Sequence, residues 1–338
     1  MYLAADAHNL LADRRGIGVY VRAMLARFAA DDKVRLTLLV RELFPRRLKA
    51  EIAQEIGSER FTLARSIPRD ADVSWHPWNG TFFATRGVKR VATIHDCVPF
   101  AFPKRSKSAR RREQGPFVRS AGADRILTDS QFSRGEIERY LKVEASHIAV
   151  VPLAADARFT PGTPTLLPEA LRERPYILLV SAADPHKNLD LLAAAHRAAF
   201  PDGDVVLACV SQRPPAGSLE LRDVRFDLLR DLYRGALAYA IPSLYEGFGI
   251  PPLEAMRCGA PVVSSRAGSL PEVCGDAALY VDEPASLAAW TAALRRVAGD
   301  GPLRVLLRER GAVQAYQFSW KRTAEETLAV LRDVAGPA

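Results

Sequence analysis

Residues 240–263 read AIPSLYEGFGIPPLEAMRCGAPVV, and the order of apolar runs, glycines and prolines in them decides the architecture. An apolar strand ends at Pro242-Ser243. A loop, Tyr245-Glu246-Gly247-Phe248-Gly249-Ile250, leads into Pro251-Pro252, and a helix starting at one of these prolines ends at Gly259 before the next strand, PVVSS. Proline suits a first helical turn because its missing N–H has no helical acceptor there. Glycine suits the position just past a helix end, where the backbone turns left-handed. The loop glycines let the backbone approach a ligand closely. The N–H groups of Gly247, Phe248, Gly249 and Ile250 stand before or at a helix N-terminus, a favourable place for an anion or for sugar hydroxyls. Two carboxylates flank the turn, Glu246 before it and Glu254 inside the helix.

The same alternation extends in both directions. Upstream, MYLAADA, VRLTLLV, VSWHPW, RVATIHD, RILTDS and IAVVPL read as strands, and residues 19–28, 43–56 and 133–141 as helices, the last with Ser130 or Ser133 as its N-cap. Residues 161–175 carry four prolines and a glycine between two strand patterns and read as an interdomain linker. Beyond them YILLVSA, VVLACV, AYAIPS, PVVSS and AALYV are strands, and residues 189–200, 228–236, 284–297 and 323–334 helices. Val/Ile/Leu-rich strands alternating with helices imply parallel sheets covered on both faces. The expected fold is therefore α/β, with two doubly wound Rossmann-like domains facing a cleft. These are residues 1–160 and 176–320, followed by a C-terminal helix over 321–338. Ligands of such sheets lie at the carboxyl ends of the strands.

Composition narrows the function. The chain has 338 residues, more than one core usually holds, with 48% hydrophobic and 25% charged residues, ordinary values for a globular protein. No run approaches the roughly 20 apolar residues of a membrane span. The N-terminus, MYLAADAHNLLADRR, lacks a basic start followed by an apolar run, so no signal peptide is expected. Cys97, Cys209, Cys258 and Cys274 are scattered, which fits neither a zinc site nor a disulfide framework and suits a reducing cytoplasm. The net charge is +8, and six basic residues crowd into one short segment: Lys104, Arg105, Lys107, Arg110, Arg111 and Arg112. They are either a solvated face or a patch for the anionic headgroups of a membrane's inner surface. Nucleic acid is not expected, since no aromatic platform interleaves with these charges. Asp202-Gly203-Asp204 follows a proline between a helix and a strand and reads as turn chemistry, not as a metal site.

The spacing Glu246-GFGIPPL-Glu254 resembles the donor-site signature of the GT-B family-4 glycosyltransferases, E-G-F-G-x-x-x-x-E. Further blocks resemble that family in the same order: RRGIGVYVRAML, TIHDCVPF, SQFSRGEIERYL with VVPLAADARFTP, DPHKNLDLL, SLPEVCGDAALYVD and QFSWKRTAEETLAVL. The resemblance implies the GT-B fold, with a C-terminal helix that crosses back to the first domain. It implies retaining transfer of a hexose, mannose as the first expectation, from a nucleotide-diphosphate sugar to a saccharide or lipid-linked saccharide acceptor. The setting implied is bacterial surface polysaccharide or lipopolysaccharide synthesis. No cofactor and no obligatory metal are expected. Lys187 is the cation implied for the departing diphosphate, Gly16 and Gly18 allow backbone approach to it, Glu254 matches the ribose-binding glutamate and Glu246 the one facing the sugar. His95 matches a histidine near the sugar and acceptor, with Asp96 orienting its ring or capping the next turn.

The chain departs from the pattern in three places. His186 stands where the family has arginine, VSAAD lacks a glycine common after that strand, and the span 205–243 is short. These departures motivate an alternative, a non-catalytic glycosyltransferase-like partner subunit.

Overall fold

The computed structural model describes residues 1–14, 16–41, 45–85 and 87–336. The expected helix start at Leu43, and Arg15 of the glycine segment, lie outside them. The chain forms two compact units, Met1–Leu153 with the segment from Trp320 onward, and Ala154–Ser319.

In the first unit the strands are β1 (Tyr2–Asp6), β2 (Arg35–Leu39), β3 (Thr62–Ala64), β4 (Val73–His76), β5 (Lys89–Thr93), β6 (Arg125–Thr128) and β7 (Ile148–Val150). Its helices are α1 (Gly16–Ala30), α2 (Pro45–Ile56), α3 (Val98–Ala101), α4 (Lys107–Ala121) and α5 (Gln131–Leu141). The strands pair in parallel in the order β3-β2-β1-β4-β5-β6-β7. In the second unit β8 (Tyr176–Val180), β9 (Val206–Val210), β10 (Leu219–Glu220), β11 (Ala238–Ile241), β12 (Val262–Ser265) and β13 (Ala278–Val281) form a parallel sheet in the order β10-β9-β8-β11-β12-β13. Helices α6 (Glu169–Arg172), α7 (Leu189–Ala199), α8 (Phe226–Gly235), α9 (Ile250–Arg257), α10 (Leu270–Cys274), α11 (Leu287–Gly299) and α12 (Gly301–Tyr316) cover it. The last helix, α13 (Trp320–Ala335), returns to the first unit.

Continuous burial explains the strand composition. All four residues of β4, β11 and β12 are buried, because helices lie on both faces. In the second unit Ile177, Leu179, Leu192, Ala240, Val263 and Trp290 share one core. In the first, Tyr20 and Phe28 of α1 meet Trp75 of β4 at ring separations of 5.8 and 5.3 Å. Helix α13 buries Trp320, Thr323, Ala324, Thr327, Leu328 and Leu331, a helical stripe, and Arg332 pairs with Asp31 at 2.7 Å. Ser130, not Ser133, caps α5, accepting from the N–H of Ser133 at 3.0 Å.

Several stretches differ from the sequence expectation, among them β3, β10, α4 and α10, which form in segments given no element. Helix α12 occupies a segment given no element, although Asp300 caps it and Pro302 sits in its first turn. The proline-rich stretch 161–175 is tied onto the second unit. The buried Asp231 accepts from the N–H of Thr165 at 2.7 Å, its hydroxyl at 3.0 Å and the N–H of Leu166 at 3.0 Å, while Arg234 donates to the carbonyl of Thr160 at 2.8 Å. Local composition cannot reveal a carboxylate partner on α8, far along the chain.

This clamp has a testable cost. Burial alone would raise the Asp231 carboxyl pKa, but the N–H groups of Thr165 and Leu166 outweigh it and hold the group below the usual carboxylate range. Its contribution is therefore present above that range and is lost as pH falls through the depressed pKa. Asp231→Ala leaves two N–H groups without their acceptor and is expected to cost roughly 2–4 kcal/mol at neutral pH in urea unfolding. Proteolytic nicking within 160–170 should also accelerate. An unchanged urea midpoint and an unchanged nicking rate would show that the clamp carries no stability.

Candidate active site

The second sheet reverses its winding between β8 and β11, adjacent strands from which the chain departs to opposite sides. Ligands of open α/β sheets sit in the crevice outside the carboxyl ends at such a point. The short helical turn Pro185–Lys187 follows β8, and the loop carrying Glu246 follows β11. Lys187 Nζ lies 2.8 Å from Glu246 Oε2, with the two side chains only 17% and 12% exposed. The other carboxylate oxygen, Oε1, accepts from Ser243 Oγ at 2.6 Å. The N–H of Leu244 donates to the His186 carbonyl at 2.7 Å, so the two loops are joined by backbone as well as by charge. Asn188, at φ +57°, ends the lysine turn in the left-handed region that asparagine tolerates, and its side chain donates to the carbonyl of Pro284 at 3.1 Å. The His186 ring, at the position of the family's arginine, is buried.

The Glu246 loop is fixed by a second loop that sequence reading assigned no role. Gly268, at φ +60°, presses against it: a Cβ there would lie 2.6 Å from the carbonyl oxygen of Glu246 and 2.7 Å from its nitrogen. Ser269, fully buried, donates to the Glu246 carbonyl from both N–H (3.1 Å) and Oγ (3.0 Å), and Oγ also lies 2.7 Å from the Phe248 carbonyl. Phe248 packs edge-on against Phe318 at 5.8 Å, and Ile250 is buried. Their side chains thus belong to the core, and the backbone is what they offer a ligand. The N–H groups of Phe248, Gly249 and Ile250 donate to no acceptor among the described residues. Gly249, at φ +105°, caps α9 with a conformation other residues rarely adopt, and Gly247 precedes it in the same loop.

Glu254, on α9, accepts from the hydroxyl of Tyr233 at 3.0 Å. Burial pushes its carboxyl up to about 7; the Tyr233 hydrogen bond opposes the shift and the nearby Asp156 carboxylate adds to it. The buried Tyr239 hydroxyl is raised first by burial, and the Glu246 and Glu254 carboxylates add to the shift. Lys187, Glu246, the glycine loop and Glu254 therefore converge at the carboxyl edge of the second sheet.

His95 and the two early glycines belong to the first unit. His95 follows β5 and is 5% exposed. Its Nδ1 lies 2.7 Å from Asp129 Oδ2 and its Nε2 2.9 Å from the Pro77 carbonyl. The Pro77 carbonyl can only accept, so Nε2 donates to it, and Nδ1 shares a proton with Asp129, whose carboxyl is itself raised by burial. Burial alone would lower its pKa, but the Asp129 carboxylate outweighs it and raises it. The orienting acid is thus Asp129, whereas Asp96 accepts from the N–H of Val98 at 3.0 Å and caps the following turn. Sequence offered only a weak signal for Asp129, a T-D-S at a strand end. Gly16 opens α1 and is exposed. At Gly18 a Cβ would lie 1.9 Å from the Asp13 carbonyl oxygen, so its missing side chain accommodates the chain's own backbone. No group of three or more His, Cys, Asp or Glu among the described residues is arranged to hold a metal ion.

Comparison with known proteins places the chain in a family. Sequence models described as Glycosyltransferase Family 4 and as Glycosyl transferases group 1 match residues 13–159 and 174–300. The O-antigen chain mannosyltransferase B of Escherichia coli is 33% identical over 272 residues, covering 73% of this chain and 71% of that protein. The MMP alpha-(1->4)-mannosyltransferase of Mycolicibacterium hassiacum is 34% identical over 225 residues, 61% of this chain and 53% of its own length. Among solved structures, HepE of Anabaena in complex with UDP and glucose superposes with a TM-score of 0.73 at 14% identity, covering 98% of this chain and 99% of that one, a likeness of fold.

The raised pKa of Glu254 makes stability depend on pH. The folded state binds the proton more tightly than the unfolded chain, so the contribution is full below the usual carboxylate range and is lost as pH rises through about 7. Glu254→Gln should flatten the decline in thermal midpoint between mildly acidic and mildly alkaline buffer, gaining roughly 1–3 kcal/mol over wild type at the alkaline end. Parallel pH profiles for the two proteins would contradict this.

Proposed function

The chain belongs to family 4 of the GT-B glycosyltransferases, and we propose that it transfers a hexose with retention of configuration from a nucleotide-diphosphate sugar to a saccharide or lipid-linked saccharide. The observation that carries the reading is the Lys187–Glu246 pair beside the unpaired loop N–H groups at the carboxyl edge of the second sheet. A departing nucleoside diphosphate gains negative charge, and fixed cations and N–H groups stabilise that charge without reorganising. Lys187 and the N–H groups of Phe248, Gly249 and Ile250 supply both kinds. Glu246, already oriented by Ser243, accepts from hydroxyls of the donor sugar, and Glu254 from those of the ribose. His95, oriented by Asp129, is a fixed polar group on the first unit. No step calls for a metal, and the developing charge is met by the chain's own groups. The names of the two mannosyltransferase relatives support mannose as the sugar, that of the O-antigen chain enzyme supports a surface polysaccharide as the product class, and the UDP complex of HepE supports a nucleotide-linked donor.

A second element bears on where the acceptor is met. Among the described residues no helix is long and apolar enough to cross a membrane. Lys104, Arg105, Lys107, Arg111 and Arg112 are exposed around the start of α4, Arg110 is half-buried, and Phe102 beside them is 41% exposed. Cations around an exposed aromatic ring suit an anionic bilayer surface, where each is worth about 1 kcal/mol. We infer peripheral docking of this segment on such a surface.

Two experiments test these readings. A panel of GDP-, UDP-, dTDP- and ADP-linked sugars should yield slow release of nucleoside diphosphate from one donor. Lys187→Ala and Glu246→Gln should lower that rate by about 100-fold or more, and NMR of the transferred product should show the donor's anomeric configuration. Failure to bind any nucleoside diphosphate would defeat the catalytic reading. For the surface, replacing Arg110, Arg111 and Arg112 by Ser should weaken binding to phosphatidylserine-containing vesicles by about tenfold or more, and binding equal to wild type would remove that role.

A further inference from the structure

The first sheet also reverses its winding, between β1 and β4. The same topological rule directs attention to the carboxyl ends of those two strands. Asp6 ends β1 and His76 ends β4. Asp6 is fully buried, and its Oδ1 accepts from the His8 N–H at 3.0 Å and faces His8 Nδ1 at 2.7 Å. With Nδ1 facing the carboxylate, Nε2 is the ring nitrogen left for a ligand, and it has no protein partner among the described residues. The His8 side chain is 15% exposed.

Asp6 is otherwise poorly served. Its Oδ2 is buried without a hydrogen-bond partner among the described residues and lies 3.9 Å from His76 Nδ1, which also lacks one. Burial lowers the His76 pKa to about 4, so this ring is neutral at ordinary pH and supplies no counter-charge. A buried carboxylate with one strong side-chain partner holds that partner firmly. The loop after β4 completes the setting. Trp78 Nε1 donates to the Asp6 carbonyl at 2.8 Å, and the His8 ring packs against Phe82 at 4.6 Å and edge-on to Trp78 at 5.9 Å. Arg41 lies over the half-buried Phe82 ring at 5.5 Å.

An oriented ring nitrogen beside half-buried aromatic faces matches the surface of a sugar ring, whose C–H face is apolar and whose hydroxyls are donors. We propose that His8, aligned by Asp6 and walled by Phe82, accepts a hydrogen bond from a hydroxyl of a pyranoside and so forms a saccharide subsite for the acceptor. Asp6 acts as a positioning residue. The inference rests on the reading of the chain as a transferase to a saccharide, but it concerns the first unit alone and can fail separately.

The test uses the full chain and four probes, the methyl α-glycosides of mannose, glucose, galactose and rhamnose. Saturation-transfer NMR without donor should show at least one of them bound to wild type. His8→Ala should weaken that glycoside at least fivefold, His8→Gln should recover part of the loss, and Phe82→Ala should weaken it again. In transfer assays His8→Ala should raise the KM for that glycoside at least tenfold while the KM for the nucleotide sugar stays within twofold. Binding of none of the four glycosides, or an unchanged glycoside affinity in His8→Ala, overturns the subsite. If wild type turns over no nucleotide sugar yet binds a glycoside through His8, the subsite stands and the transferase reading falls.

Discussion

In each sheet the chain winds outward from the central strand in one direction and then returns to wind outward in the other. Right-handed crossovers then place the loops from the two central strands on opposite sides, and a gap opens between them at the carboxyl edge. Two of the pairs described above follow from that constraint. Lys187 and Glu246 are on the two sides of the gap in the second sheet, and Asp6 and His76 on the two sides in the first. His95 and Asp129 lie further along the first sheet, after β5 and β6.

Topology brings the loops near each other, but hydrogen bonds fix their geometry. Lysine is a flexible point charge, and it becomes a fixed one only because Glu246 holds it. Glu246 in turn is held by Ser243, and its backbone by Ser269 against Gly268. Each of these supports has a geometric cause. A residue larger than glycine at 268 would meet the Glu246 backbone, and Ser269 has to be buried to reach two carbonyls. The pairing also limits what Glu246 can do. A carboxylate engaged at both oxygens is a poor nucleophile and a good, oriented acceptor. That favours hydroxyl recognition over covalent catalysis.

The parts of this arrangement legible in sequence were those written in local punctuation. The prolines at 251 and 252 and the glycine at 259 located α9 to within two residues, and continuous apolar runs located the buried strands. Glu246 and Glu254 were legible through their spacing. What stayed hidden depends on contacts across the chain. Asp231 reaches back to Thr165, and Asp129, not the adjacent Asp96, orients His95. Proximity in sequence favoured Asp96, but its carboxylate is spent on the N–H two residues ahead. Helix α12 was missed for another reason. Its exposed Val305, Leu306, Val313 and Tyr316 blur the apolar stripe that periodicity depends on, so only its cap remained as a signal.

The two carboxyl edges differ in chemical character, and the difference is physical. On the second unit a cation and free N–H groups gather, a surface that rewards negative charge. On the first unit the histidines are tied to buried carboxylates, and the two ties act in opposite ways. Asp129 and the Pro77 carbonyl take both ring nitrogens of His95, which leaves neither for a ligand. Asp6 takes only one nitrogen of His8, which leaves Nε2 without a partner among the described residues. The loop of Pro77, Trp78 and Asn79 links the two, since Pro77 and Asn79 bind His95 while Trp78 binds Asp6. Asn79 turns that loop at φ +58°, a conformation few side chains accept, and its own Oδ1 takes the His95 N–H at 2.6 Å. The one loop therefore holds both sites, through Pro77 and Asn79 at His95 and through Trp78 at Asp6, so a shift in it displaces both histidines together.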